Sequence, residues 1–148
     1  MVKIIKGEVN SGKSTKFLRL YKASNSGAGL YSKKRLDDAG SVIGYDLVLL
    51  PAGKKLPFIF LRESIPPEDA GNYYMQGRFA FLKETFKIAE QYILEYAADT
   101  PVWIDEIGGL ELNGWGYDGL LKTLLAANRD VTFTVRNNLF EKIVAKYC

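Results

Sequence analysis

Histidine is absent from this 148-residue chain. That removes His-based triads, imidazole metal ligands and imidazole proton shuttles. Hard ions held by oxygen are the metals left to consider. Cysteine occurs once, as Cys148. No intrachain disulfide can form, and a reducing, cytoplasmic address is the expectation. No apolar run is long enough to span a bilayer. The first strand-like residues follow Met1 directly, without a leader-like segment, and no membrane role is expected. Charge of one sign is also scarce, since 20 Lys and Arg stand against 17 Asp and Glu for a net charge of +3. There is no basic stripe and no interleaving of basic and aromatic residues, so nucleic acid is not an expected partner.

What is present is ordinary for one globular domain over residues 1–148. A chain of this length buries about two thirds of its unfolded surface and needs no covalent staples. The informative stretch is Gly7-Glu8-Val9-Asn10-Ser11-Gly12-Lys13-Ser14, with Thr15 following. It fits the phosphate-loop pattern G-x-x-x-x-G-K-[ST]. Residues 7–15 would cradle phosphate oxygens through inward-pointing backbone N–H groups. Gly7 and Gly12 allow an approach that a Cβ would block. Lys13 can reach the β- and γ-phosphates, and the Ser14 hydroxyl can ligate Mg²⁺. The context fits too. Residues 2–6 are a β-branched run, and Phe17, Leu18 and Tyr21 recur at helical spacing.

Beyond a loop at 22–27, residues 28–62 read as a β-meander inserted after the first helix. Residues 63–70, with Pro66-Pro67, read as a loop. Phe79, Leu82, Phe86, Ala89 and Ile93 predict a helix over 79–98. A buried strand at 102–104, a helix at 117–128, a strand at 131–135 and a helix at 139–147 complete the pattern. Strands alternating with helices predict a three-layer α/β domain with a mostly parallel sheet and an antiparallel β insertion. Its ligand should lie at the carboxyl ends of the strands.

A phosphate loop needs an acid for Mg²⁺ at the end of a buried strand. Val102-Trp103-Ile104-Asp105-Glu106 supplies it. Asp105 is the expected Mg²⁺ partner with Ser14, and Glu106 the group that orients or deprotonates an attacking water. Positive charge is needed where the γ-phosphoryl group leaves. Arg35, Arg78 and Arg136 are available, and Arg136 lies at a carboxyl strand end. Arg35 and Arg136, with Lys13 and Glu106, form the expected catalytic set. Glu111 is a weaker candidate in the loop after Glu106, and Trp115 and Tyr117 either cover the site or pack.

Residues 104–112, Ile-Asp-Glu-Ile-Gly-Gly-Leu-Glu-Leu, resemble the magnesium-site signature of the small P-loop nucleoside-triphosphatase family first described from thermophiles. Gly29-Leu30-Tyr31 with Arg35, Gly40 and residues 43–47 is similar to that family's β insert. Gly77-Arg78-Phe79 is similar to its Gly-basic-aromatic step, and Val135-Arg136 with Asn138-Leu139 to its closing strand-to-helix turn. Glu8, Val9 and Asn10 stand where the family often has more glycine. The resemblance implies a P-loop fold related to nucleotide kinases and RecA-like ATPases. It also implies slow, Mg²⁺-dependent hydrolysis of ATP, GTP and related triphosphates with relaxed base choice.

Two other readings use the same loop. A phosphotransferase would need an acceptor site and a lid that excludes water, and no Arg-rich lid segment is evident in the sequence. A nucleotide-binding switch would bind triphosphate tightly, turn over only with a protein partner, and dock through residues 28–62.

Overall fold

The computed structural model describes residues 1–8 and 11–148. In chain order these form β1 (Val2–Gly7), α1 (Lys13–Ser24), β2 (Ala28–Leu36), β3 (Val42–Leu50) and β4 (Lys54–Leu61). Then come β5 (Tyr73–Gln76), β6 (Phe79–Leu82), α2 (Lys83–Leu94) and β7 (Val102–Ile104). The chain closes with α3 (Gly109–Leu112), α4 (Asp118–Ala126), β8 (Val131–Arg136) and α5 (Phe140–Tyr147). No helix among the described residues is long and apolar enough to cross a membrane.

The strands form one sheet in the order β1-β8-β7-β2-β3-β4-β6-β5. The expectation of a mostly parallel sheet needs correction, because the sheet is mixed. β1, β8, β7 and β2 pair in parallel. The neighbours from β2 through β3, β4 and β6 to β5 pair antiparallel. Link length is the physical reason. Five residues, 37–41, join β2 to β3, and three, 51–53, join β3 to β4. Links this short permit only antiparallel neighbours, whereas the parallel pairs need long crossovers. β2 belongs to both parts, because Leu30 aligns with Ile104 on one side and with Leu49 on the other.

The helix expected over 79–98 is also shorter. Residues 79–82 form β6, which pairs with β4 and β5, and α2 starts at Lys83. Phe79 and Phe81 satisfy a period of two as readily as Phe79 and Leu82 satisfy a helical step. Tertiary packing decides between them. The Phe79 ring meets Tyr45 edge-on at 5.9 Å, and Phe81 meets Phe58 at 6.3 Å.

Strand alternation divides the core between the two sheet faces. On β7, Trp103 joins Ile5 and Phe17 beneath α1. Val102 and Ile104 join the larger cluster with Phe86, Ala89 and Ile93 of α2, Leu120, Leu121 and Leu124 of α4, and Ile143 of α5. The same alternation points Asp105 toward α1 and puts it within reach of Ser14.

Candidate phosphate and metal site

The phosphate loop leaves β1 at Gly7 and enters α1 through Gly12. Gly12 caps the helix with φ 87°, a left-handed conformation that costs glycine little. A Cβ at Gly7 would lie 2.6 Å from Ser11 Oγ and 2.7 Å from Lys13 Cγ, so the loop closes only over glycine. α1 has 12 residues and no acid in its first turn. Its unpaired N–H groups and dipole therefore favour an anion. The Ser11 amide donates to the Glu8 carbonyl at 3.2 Å, and the Glu8 carboxylate accepts from Asn137 Nδ2 at 2.8 Å. Thr15 follows Ser14 on the rim of the cleft. Val9 and Asn10, also expected in the cradle, lie outside the described residues.

Lys13 is buried at 7 % exposure. Its ammonium donates to the Glu8 carbonyl at 3.0 Å and lies 3.8 Å from Glu106 Oε1. Cation and expected base thus face each other across the cleft.

Asp105 is fully buried at the end of β7. Its Oδ2 accepts from Ser14 Oγ at 3.0 Å and from the Ser32 amide at 3.2 Å, and its Oδ1 accepts from Thr134 Oγ1 at 2.8 Å. Burial pushes this carboxyl up to about 7, and the neighbouring Glu106 charge pushes the same way. The hydrogen bonds from Thr134, Ser14 and Ser32 pull down against them. Ser14 Oγ and Asp105 Oδ2 are hard oxygen donors of the kind Mg²⁺ takes together with phosphate oxygens and water. No cluster of three or more His, Cys, Asp or Glu that could hold a metal occurs among the described residues.

Glu106 has φ 68°, left-handed for a residue with a Cβ. Such a conformation costs about 1–3 kcal/mol and persists only where the surroundings impose it. Here the Glu106 amide donates to Thr134 Oγ1 at 2.7 Å, and the Ile107 amide to the Thr134 carbonyl at 2.9 Å. Thr134 therefore sets both acids, Asp105 through its hydroxyl proton and Glu106 through its oxygen. Thr134 is not among the residues that the sequence motifs single out. The available signal was Thr132 and Thr134 at a period of two in a strand otherwise made of Val, Phe and Arg.

Lys13, Ser14, Glu106 and Arg136 line one cleft of about 360 Å³ together with Tyr31, Tyr45 and Phe79. Arg136 aligns with Gly7 across the β1–β8 pair, and its guanidinium makes no hydrogen bond or ion pair with the described residues. Arg35 is not brought to the cleft lining. Its Nη2 donates to the Ile59 carbonyl at 3.0 Å, its Nε lies 3.6 Å from Asp46, and its guanidinium covers the Phe60 ring at 5.0 Å. Arg78 stacks on Phe79 at 4.8 Å.

Glu111 serves the loop behind the site. Its carboxylate accepts from the Gly108 amide at 2.8 Å and the Tyr117 amide at 2.9 Å. Its carbonyl accepts from Lys146 Nζ and, at 3.1 Å, from Tyr147 Oη. Burial pushes the Glu111 carboxyl up to about 7 against the two amide bonds. Trp115 stacks on Tyr74 at 5.5 Å, and Tyr117 packs edge-on against Phe86 at 4.9 Å.

A family model described as NTPase matches residues 3–147 of this chain. Comparison with curated proteins and with solved structures gives no match.

Proposed function

The chain belongs to this small P-loop NTPase family, and on that premise we propose that residues 1–148 form one triphosphatase domain. It would hydrolyse ATP and GTP to nucleoside diphosphate and phosphate in a Mg²⁺-dependent reaction. We infer that α1 on one sheet face and α2, α4 and α5 on the other make the three layers of a P-loop fold. The observation that carries the functional reading is the Ser14–Asp105 hydrogen bond of 3.0 Å between residues 91 apart in sequence. It joins the two halves of the motif in a cleft where Lys13 and Glu106 stand 3.8 Å apart.

The roles follow from placement. The loop amides and the α1 terminus bind the phosphate chain, and Lys13 neutralises its β- and γ-oxygens. Ser14 and Asp105 would hold Mg²⁺, which supplies charge neutralisation on the β- and γ-phosphates. Glu106 accepts a proton from the attacking water, with its carboxylate aimed by the constrained backbone. Arg136 lines the same cleft as Glu106 and stabilises charge developing on the γ-phosphoryl group. Arg35, tied to Asp46 and Ile59, is the weaker choice for that task. Turnover is expected to be slow and base choice relaxed, as the family resemblance implies.

The test is phosphate release from each of ATP, GTP, CTP and UTP with Mg²⁺, using Lys13→Ala as the blank. Release above the blank without any acceptor supports the reading. Tight triphosphate binding with no release contradicts it.

A further inference from the structure

The turn that carries both acids has a hydrogen-bond partner for each successive amide. The Asp105 amide donates to the Leu30 carbonyl at 2.8 Å, the Glu106 amide to Thr134 Oγ1 at 2.7 Å and the Ile107 amide to the Thr134 carbonyl at 2.9 Å. The Gly108 amide donates to Glu111 Oε1 at 2.8 Å. Leu30 and Thr134 belong to β2 and β8, in the sheet. Glu111 stands outside it, on α3, a helix of 4 residues that is too short to keep its place unaided.

Glu111 is 3 % exposed and is itself held at several points. Its Oε2 accepts from the Tyr117 amide at 2.9 Å. A Cβ at Gly116 would overlap that oxygen, and Gly116 has φ 62°, so the loop closes round the carboxylate only over glycine. The Glu111 carbonyl accepts from Lys146 Nζ and Tyr147 Oη. The same two residues of α5 meet Asp118 Oδ1, at 2.9 and 2.5 Å. The last turn of α5 thus anchors the residue that closes the Glu106 turn. None of Glu111, Gly116, Tyr117, Asp118, Lys146 and Tyr147 lines the phosphate cleft.

Glu106 depends on such a hold. Its φ of 68° is a conformation that persists only where the surroundings impose it. Its side chain is 38 % exposed, so packing does little to aim the carboxylate and the backbone sets its direction. We propose that Glu111 is a positioning residue, which holds the Gly108 amide so that the turn presents the Glu106 carboxylate to the attacking water. The proposal rests on the triphosphatase reading above, in which Glu106 is the base. A base displaced by about an ångström loses its alignment with the water, and a misplacement of that size costs up to about a hundredfold in rate. Nucleotide binding uses the loop amides, Lys13 and Ser14, so affinity should not follow the rate.

The test is a double-mutant cycle in the full chain: wild type, Glu106→Gln, Glu111→Ala and the pair. Phosphate release from γ-labelled Mg²⁺-ATP is measured at about pH 8.5, where a carboxyl pushed up to about 7 is ionised. Binding of Mg²⁺-ATP is measured by calorimetry. Glu111→Ala should lower kcat about ten- to a hundredfold and bind within a few-fold of the wild type. In the Glu106→Gln background the same substitution should change release by less than about twofold, because the group it aims is gone. Glu111→Gln keeps the volume and one acceptor. It should show the same pattern at about two- to tenfold, and it decides the matter if the alanine variant does not fold. A carboxylate at this spacing also caps a helix, and a cap alone would lower release by the same factor in both backgrounds. Equal losses in the two backgrounds, or wild-type kcat in the Glu111 variants, would overturn the positioning role and leave the hydrolytic reading standing. Wild-type release by Glu106→Gln would overturn both.

Discussion

The parallel strands β1, β8, β7 and β2 and the antiparallel strands β3, β4, β6 and β5 share one sheet but divide its work. The parallel part gathers buried polar groups at its carboxyl ends. Lys13, Asp105, Thr134 and Ser32 are each less than 8 % exposed, and hydrogen bonds run from Ser14, Ser32 and Thr134 into one carboxylate. The antiparallel part gathers rings. Phe58 alone meets Phe81, Phe86 and Tyr117 within 6.3 Å. One part places charge and the other places shape, and the cleft opens where they meet. Substitutions in the first should therefore damage turnover, and substitutions in the second should damage stability.

The largest expected effect tests the first half of that statement. Lys13→Ala removes the buried cation facing Glu106 and should lower kcat/KM for Mg²⁺-ATP about a hundred- to a thousandfold. Its urea midpoint should stay near that of the wild type. Unchanged turnover would detach chemistry from the parallel part.

Phe58→Ala tests the second half. The side chain is 2 % exposed, and its removal should cost about 3–5 kcal/mol in urea denaturation. Turnover measured well below the transition should change little by comparison. A small loss of stability would mean that the aromatic cluster does not brace the sheet.

The two arginines sharpen the boundary. Arg136→Ala should slow turnover about tenfold or more through lost charge stabilisation. Arg35→Ala should cost about 1–3 kcal/mol of stability through its bond to the Ile59 carbonyl and leave kcat nearly unchanged. The reverse pattern would move the catalytic arginine to the meander.

The smallest effect concerns Glu111, which braces the loop between the parts. Its carboxyl is ordinary in the unfolded chain and pushed up to about 7 in the fold. Between about pH 4.5 and 7 the native chain holds a proton that the unfolded chain has released. Stability from this group is present below that window and is lost as pH rises through it. Glu111→Gln removes the titration, so the fall in stability across the window should flatten by at most about 1.4 kcal/mol per pH unit. The share from Asp105 should remain. An unaltered slope in the variant would remove Glu111 as its source.

Much of the charged part is legible in sequence, because its signals are local. Gly7, Gly12, Lys13 and Ser14 sit within eight residues, and Asp105 and Glu106 end an apolar triplet. The antiparallel part is harder to read. Phe79 and Phe81 fit a strand as readily as Phe79 and Leu82 fit a helix, and only pairing with β4 and β5 selects the strand. β5 carries no turn or periodicity signal strong enough to mark it, and its four residues gain their structure from β6. Ser32 carries no signal as a site residue, and Thr134 only the weak one of alternation with Thr132, for a related reason. A lone hydroxyl in a strand gains meaning only when distant chain brings a carboxylate to it, and Asp105 lies 29 residues from one and 73 from the other.

The most direct test of the central claim is Glu106→Gln, measured for binding and turnover in the same preparation. The variant should bind Mg²⁺-ATP within a few-fold of the wild type, since the loop, Lys13, Ser14 and Asp105 are untouched. Its phosphate release should fall by about two to four orders of magnitude, as loss of a general base requires. Equal rates of release in the variant and the wild type would contradict the account and remove Glu106 from the chemistry.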